Sequence, residues 1–153
     1  MECLAQMASN LVSQPSFFIA VMAFILKYAG IPISMATDPS SGFGVIAEIG
    51  ARRLKDGDVI MTHSYSTAVL AILKKANEQK KRLRVFVTET RPELEGRDVA
   101  AELAAVGIET TLIIDSAVSH FIEKTDKVIV GTEAVAANGA VVNKIGTATI
   151  AAV

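Results

Sequence analysis

Four short apolar runs, each followed by residues at helical spacing, constrain this chain more than any other feature. Val59-Ile-Met-Thr62, Leu83 to Thr88, Thr111 to Ile114 and Val128 to Val130 read as strands. Between the first two, Val69, Ile72, Leu73 and Ala76 recur at i, i+3, i+4 and i+7, which predicts a helix from Ser66 to Gln79. Val99, Leu103 and Val106 mark a second helix, with Gly107 as its stop. Ala117 to Lys124 is a short third one, and Ile145 to Val153 begins another. Continuous apolar strands alternating with helices predict an α/β fold with a parallel sheet covered on both faces. Right-handed crossovers then bring every strand's C-terminal end to one edge.

The loops leaving those ends are all polar: Thr62-His-Ser-Tyr-Ser-Thr67, Thr88-Glu-Thr-Arg-Pro92, Asp115-Ser116 and Gly131-Thr-Glu133. Ligands of open α/β sheets bind at this edge. The last loop continues through an Asn138-Gly139 turn to Asn143-Lys144, which adds an amide and an ammonium to the carboxylate of Glu133.

Upstream, Glu2 to Val12 and Pro15 to Ala29 read as helices, and Ile31 to Ser41 as a proline-punctuated connector. Phe43 to Lys55 returns to helical spacing and ends at Asp56-Gly57. Residues 1–55 thus form an expected N-terminal helical segment, and 56–153 the sheet domain. Four strands are few for such a sheet, so the domain is expected to be incomplete, either a fragment or completed by a partner.

Composition narrows the classes. Hydrophobic residues are 51% and charged residues 20% of 153, an ordinary globular balance. The net charge of -1 argues against a general nucleic-acid binder. The most apolar run, Phe17 to Leu26, has ten residues. A bilayer span needs roughly 20. It is read as a buried helix, or one covered by a partner. The single cysteine, Cys3, cannot form an internal disulfide and suits a reduced, cytoplasmic chain. Two histidines and one cysteine far apart make no zinc pattern. No dinucleotide, Walker or nucleophile-elbow motif occurs, and no cofactor is expected.

Each candidate site residue has a structural alternative. His63-Ser64 could face a ligand, while Ser64, Ser66 and Thr67 each suit a helix N-cap. Glu89 and Arg91 could form an ion pair of a surface loop. Alternatively, Arg91 could clamp a phosphate or carboxylate and Glu89 could accept from sugar hydroxyls. Asp115 could cap the following helix or line the pocket. His120 reads as packed or exposed. Lys144 is a point-charge phosphate binder or a solvated turn lysine.

Five blocks then coincide with a known family: Asp56-Gly-Asp-Val-Ile-Met-Thr-His63, Val87-Thr-Glu-Thr-Arg-Pro92, Ile114-Asp-Ser-Ala117, Val130-Gly-Thr-Glu133 and Ala137-Asn-Gly-Ala-Val-Val-Asn-Lys-Ile-Gly-Thr147. In this order and spacing the chain resembles the regulatory subunits of translation initiation factor 2B and the related ribose-1,5-bisphosphate and methylthioribose-1-phosphate isomerases. The resemblance implies a Rossmann-like domain after an N-terminal helical region. It implies a sugar-phosphate pocket lined by His63, Ser64, Glu89, Arg91, Glu133, Asn143 and Lys144.

Two positions separate the branches. The isomerase branch has a Cys directly after Thr-His and an Asp after Val-Gly-Ala, as its acid/base pair. Here Ser64 and Glu133 stand there. A hydroxyl is far less acidic than a thiol of pKa about 8.5. Glu adds a methylene, and a displacement of about 1 Å can cost about 100-fold in rate. The arginine-glycine elements of the isomerases' N-terminal region are not recognisable before Asp56. The resemblance is therefore to the alpha-type regulatory subunit. It implies a non-catalytic protein in the cytoplasm that forms a homodimer or joins related subunits, meets initiation factor 2, and keeps a pocket for a phosphosugar or nucleotide. The alternatives are an isomerase using Glu133 as base with Ser64 as substitute, or an unrelated small-molecule-binding domain.

Overall fold

The computed structural model describes residues 17–19, 42–136 and 140–153. The expected helix at Glu2 to Val12, the connector, Cys3 and the Asn138-Gly139 turn lie outside them.

The elements run in order as β1 (Phe17–Ile19), α1 (Gly42–Arg53), β2 (Val59–Thr62), α2 (Thr67–Glu78), β3 (Arg84–Thr88), α3 (Gly96–Ala105) and β4 (Glu109–Ile113). A 3-10 turn (Asp115–Ala117), α4 (Val118–Ile122), β5 (Lys127–Val130), β6 (Ala134–Val135), β7 (Val141–Val142) and α5 (Thr147–Ala152) complete them. The main sheet is parallel, in the order β1-β5-β2-β3-β4. β6 and β7 form a small antiparallel pair.

Strand alternation builds two cores. Ile60, Val85, Val87 and Ile129 point to the face covered by α1, α2 and α3, where Val69, Leu73, Ala76, Val99 and Leu103 meet them. Met61, Val128 and Val130 point to the other face, against Val118 and Ile150. Burying an aliphatic side chain contributes about 1.5–3 kcal/mol. Both faces must therefore be covered, and a parallel arrangement with helices on both sides does this. α1 closes tightly on α2: a Cβ at Gly50 would come 2.5 Å from Ile72. Gly107, at φ +80, ends α3 as expected.

Three expectations are corrected. Of the helix expected over Pro15 to Ala29 only Phe17–Ile19 falls within the described residues, and there the chain is a strand paired with β5. A short apolar run fits a buried strand as well as a buried helix, and Phe-Phe-Ile is rich in strand formers. The main sheet consequently has five strands rather than four. The third expected strand begins at Glu109, two residues before Thr111. Among the described residues no helix is long and apolar enough to cross a membrane.

Candidate functional site

The strand order reverses direction between β2 and β5. β3 and β4 continue outward on one side of β2, while the chain returns to its other side as β5. Loops leaving the two strands at such a point diverge and open a crevice. A cleft of about 80 Å³ lies there, lined by His63 to Ser66, Gly131 to Glu133, and Asn143.

The β2 wall hangs on His63, whose ring is buried. Its Nε2 lies 2.7 Å from the Ile145 carbonyl, which can only accept, so that nitrogen carries a proton. In the neutral ring Nδ1 then accepts from the Thr88 hydroxyl at 2.6 Å. Thr90 Oγ1 accepts from the Ser64 amide at 2.9 Å and donates to the Thr88 carbonyl. Both nitrogens are engaged, so His63 ties β2, β3 and the start of α5 together while its side lines the cleft. Gly146, at φ +102, is required beside it, since a Cβ there would meet the ring at 2.8 Å.

Ser64 has left-handed backbone, φ 66. Its hydroxyl donates to Glu95 Oε2 at 2.7 Å, and the Tyr65 amide reaches the same oxygen at 3.3 Å. The N-cap among the three candidates is Ser66, whose side chain accepts from the Val69 amide. Gly131 passes so close to Ser66 that a Cβ would stand 2.7 Å from its Oγ.

The opposite wall carries Glu133 and Asn143. The Glu133 backbone pairs with Val142, and its exposed carboxylate has no partner among the described residues. The Asn143 amide donates to the Gly131 carbonyl and its Oδ1 accepts from the Lys144 amide. Asn143 therefore braces the hairpin against the strand end. The Lys144 ammonium lies 3.0 Å from Glu95 and 3.4 Å from Glu93, which hold its pKa above the ordinary lysine value. The Ser64 hydroxyl first, and Lys144 second, hold the Glu95 carboxyl below the ordinary range.

Glu89 and Arg91 sit further along the edge. Glu89 pairs with Arg91 at 3.5 Å and Arg97 at 3.6 Å, which is the ion-pair alternative. Neither lines the cleft. Asp115 does not cap its own turn. Ile114 holds the cap position, and the Asp115 carboxylate turns across to accept from the Thr90 and Arg91 amides at 2.9 and 2.8 Å. Those loop amides have no strand partner, and a carboxylate takes both. His120 is exposed, beside Phe121 and Lys124. Glu95 is not legible as a site residue in the sequence, because a glutamate in Pro-Glu-Leu-Glu-Gly reads as an ordinary helix start.

Comparison with known proteins agrees with this geometry. A model of the Initiation factor 2 subunit family matches residues 44–153. The ribose 1,5-bisphosphate isomerase of Thermococcus kodakarensis is 52% identical over 106 residues, 69% of this chain and 33% of that protein. The crystal structure of translation initiation factor eIF-2B from Pyrococcus horikoshii superimposes with a TM-score of 0.69 at 42% identity, covering 71% of this chain and 39% of that one. The tetrameric eIF2B beta-delta complex from C. thermophilum is similar at TM-score 0.58 and 28% identity, over 63% of this chain and 31% of that one. The chain thus spans between 31% and 39% of the length of these relatives.

Proposed function

The chain belongs to the initiation factor 2 subunit family, and from that premise we propose a non-catalytic, regulatory member that binds a phosphorylated sugar or nucleotide between the ends of β2 and β5. It assembles in the cytoplasm with a second copy or with related subunits, and through them meets initiation factor 2 and the nucleotide-exchange machinery. The tetrameric complex among its structural relatives supports assembly with like subunits.

One observation carries the non-catalytic part. The residue after His63, where the isomerase branch has a thiol, is Ser64, and its hydroxyl proton is directed onto a carboxylate. A hydroxyl held this way supplies neither thiolate nor a ready acid. Glu133, opposite, is an exposed carboxylate on a longer stem than aspartate.

A second reading, an aldose-ketose isomerase, draws on the 52% identity to a protein named for that activity. Glu133 would then move the proton between carbons, and Ser64 would serve the sugar oxygen.

Purified protein mixed with ribose 1,5-bisphosphate separates the two. The expected outcome is binding by calorimetry with no ribulose product by NMR. Turnover that Glu133→Gln abolishes would overturn the non-catalytic reading. No binding of any phosphosugar or nucleotide would overturn the ligand part of both.

A further inference from the structure

Lys144 is the cation that a ligand phosphate would use, and its ammonium is already occupied. Glu95 Oε1 stands 3.0 Å from it and Glu93 Oε2 3.4 Å. The other oxygen of Glu95 takes the Ser64 hydroxyl at 2.7 Å and the Tyr65 amide at 3.3 Å. One carboxylate therefore joins the loop after β2 to the segment after β7, beside a cleft that Ser64, Tyr65 and Asn143 line and that Glu95 and Lys144 do not. Glu93 and Glu95 thus both face one lysine. Lys144 is partly enclosed, with its side chain 21% exposed, so a carboxylate pairing there is less screened than on open surface. An arriving phosphate has to compete with Glu95 for the same ammonium.

We infer that Glu95 is a carboxylate latch on Lys144, displaced by anionic ligands, which sets how strongly the cleft prefers phosphorylated over unphosphorylated sugars. The inference rests on the phosphosugar reading above. Its distinct content is that the wild-type glutamate weakens anion binding. A purely structural Glu95 would do the opposite, because removing it would loosen the Ser64–Tyr65 wall. The two oxygens divide these roles between them, so one substitution can separate them. A glutamine keeps a carbonyl oxygen for Ser64 and Tyr65 and loses the charge that holds Lys144.

Calorimetry on the full chain with ribose 5-phosphate and with ribose tests this. Glu95→Gln is expected to bind ribose 5-phosphate about fivefold tighter than the parent, the scale of a partly exposed ion pair. Affinity for ribose should stay unchanged. Glu93→Gln should give a smaller gain in the same direction, and adding Lys144→Gln to Glu95→Gln should erase it. Equal or weaker ribose 5-phosphate binding by Glu95→Gln, with the parent binding normally, overturns the latch and leaves the phosphosugar reading intact. No phosphate-dependent binding by either protein overturns both. A ligand-free readout is acylation of lysines by acetic anhydride, followed by mass spectrometry. Lys144 should label faster in Glu95→Gln relative to Lys74, which keeps its pairing with Glu102. Unchanged relative labelling would count against the latch.

Discussion

The two edges of the main sheet use the same residue types to different ends. At the edge where strands begin, Asp58 pairs with Lys127 and accepts the Lys55 amide, Asp126 accepts the Val59 amide, and Asp56 binds Arg82. Each of these three acids meets a strand-start amide or a cation beside it, and none of them lines the cleft between β2 and β5. At the edge where strands end, acids connect loop to loop. Asp115 holds the β3 loop, Glu95 joins the β2 loop to Lys144, and Glu133, without a partner among the described residues, lines a cleft. Backbone strain follows the same division. Of the four non-glycine residues with positive φ among those described, Ser64, Thr90 and Leu94 lie at the loop edge, and only Lys80 does not. Strain is held where the surroundings over-determine it, and that is characteristic of ligand sites. The start edge contributes stability, while the end edge combines stability with position.

Substitutions can break that contrast. The largest effect is expected at Gly96, where a Cβ would fall 1.8 Å from the Thr88 carbonyl oxygen. Gly96→Ala should cost about 3 kcal/mol or more in urea unfolding. Asp58→Ala comes next, since it strips Lys127 and the Lys55 amide of a buried acceptor. It should cost about 2–3 kcal/mol and leave ligand affinity, measured well below the melting temperature, unchanged. If it changed affinity as much as stability, the two edges would not be separable. Ser66→Ala removes the α2 cap for about 1 kcal/mol, with a small loss of binding because Ser66 also lines the cleft.

The smallest effect sharpens the contrast through pH. The hydrogen bonds from Arg82, side chain first and backbone amide second, lower Asp56 from 3.8 to about 2. A lowered folded pKa gives stability that is complete above the unfolded value and is lost as pH falls through the folded one. Asp56→Asn should therefore flatten the decline of the urea midpoint between about pH 4 and about pH 2. Ligand affinity near neutral pH should be untouched.

Much of this was legible in the residues. The alternation of apolar runs with helical spacing predicts α2, α3 and β2 to β5 close to where they lie, because core burial imposes a period on each element. The polar strand-end loops point to the right edge for the same topological reason. Phe17–Ile19 was not legible as a strand: a three-residue apolar piece has no period of its own, and its state depends on the exposed side of β5. The cleft's membership was legible in part. His63, Ser64, Glu133 and Asn143 line it, whereas Glu89 and Arg91 pair away from it along the same edge.

By itself, the sequence determined the layered α/β plan, the edge that carries the polar loops, and the presence of Ser64 and Glu133 in two of those loops. These follow from local periodicity and residue identity. Only the tertiary structure decided which charges meet. Glu95 reaches Ser64 across 31 positions and Lys144 across 49. No local pattern encodes such a pairing, because it arises when the reversal between β2 and β5 brings separate loops to one point. Lys144 reads in sequence as a phosphate cation or a solvated turn lysine, and in the folded chain its ammonium is held by carboxylates.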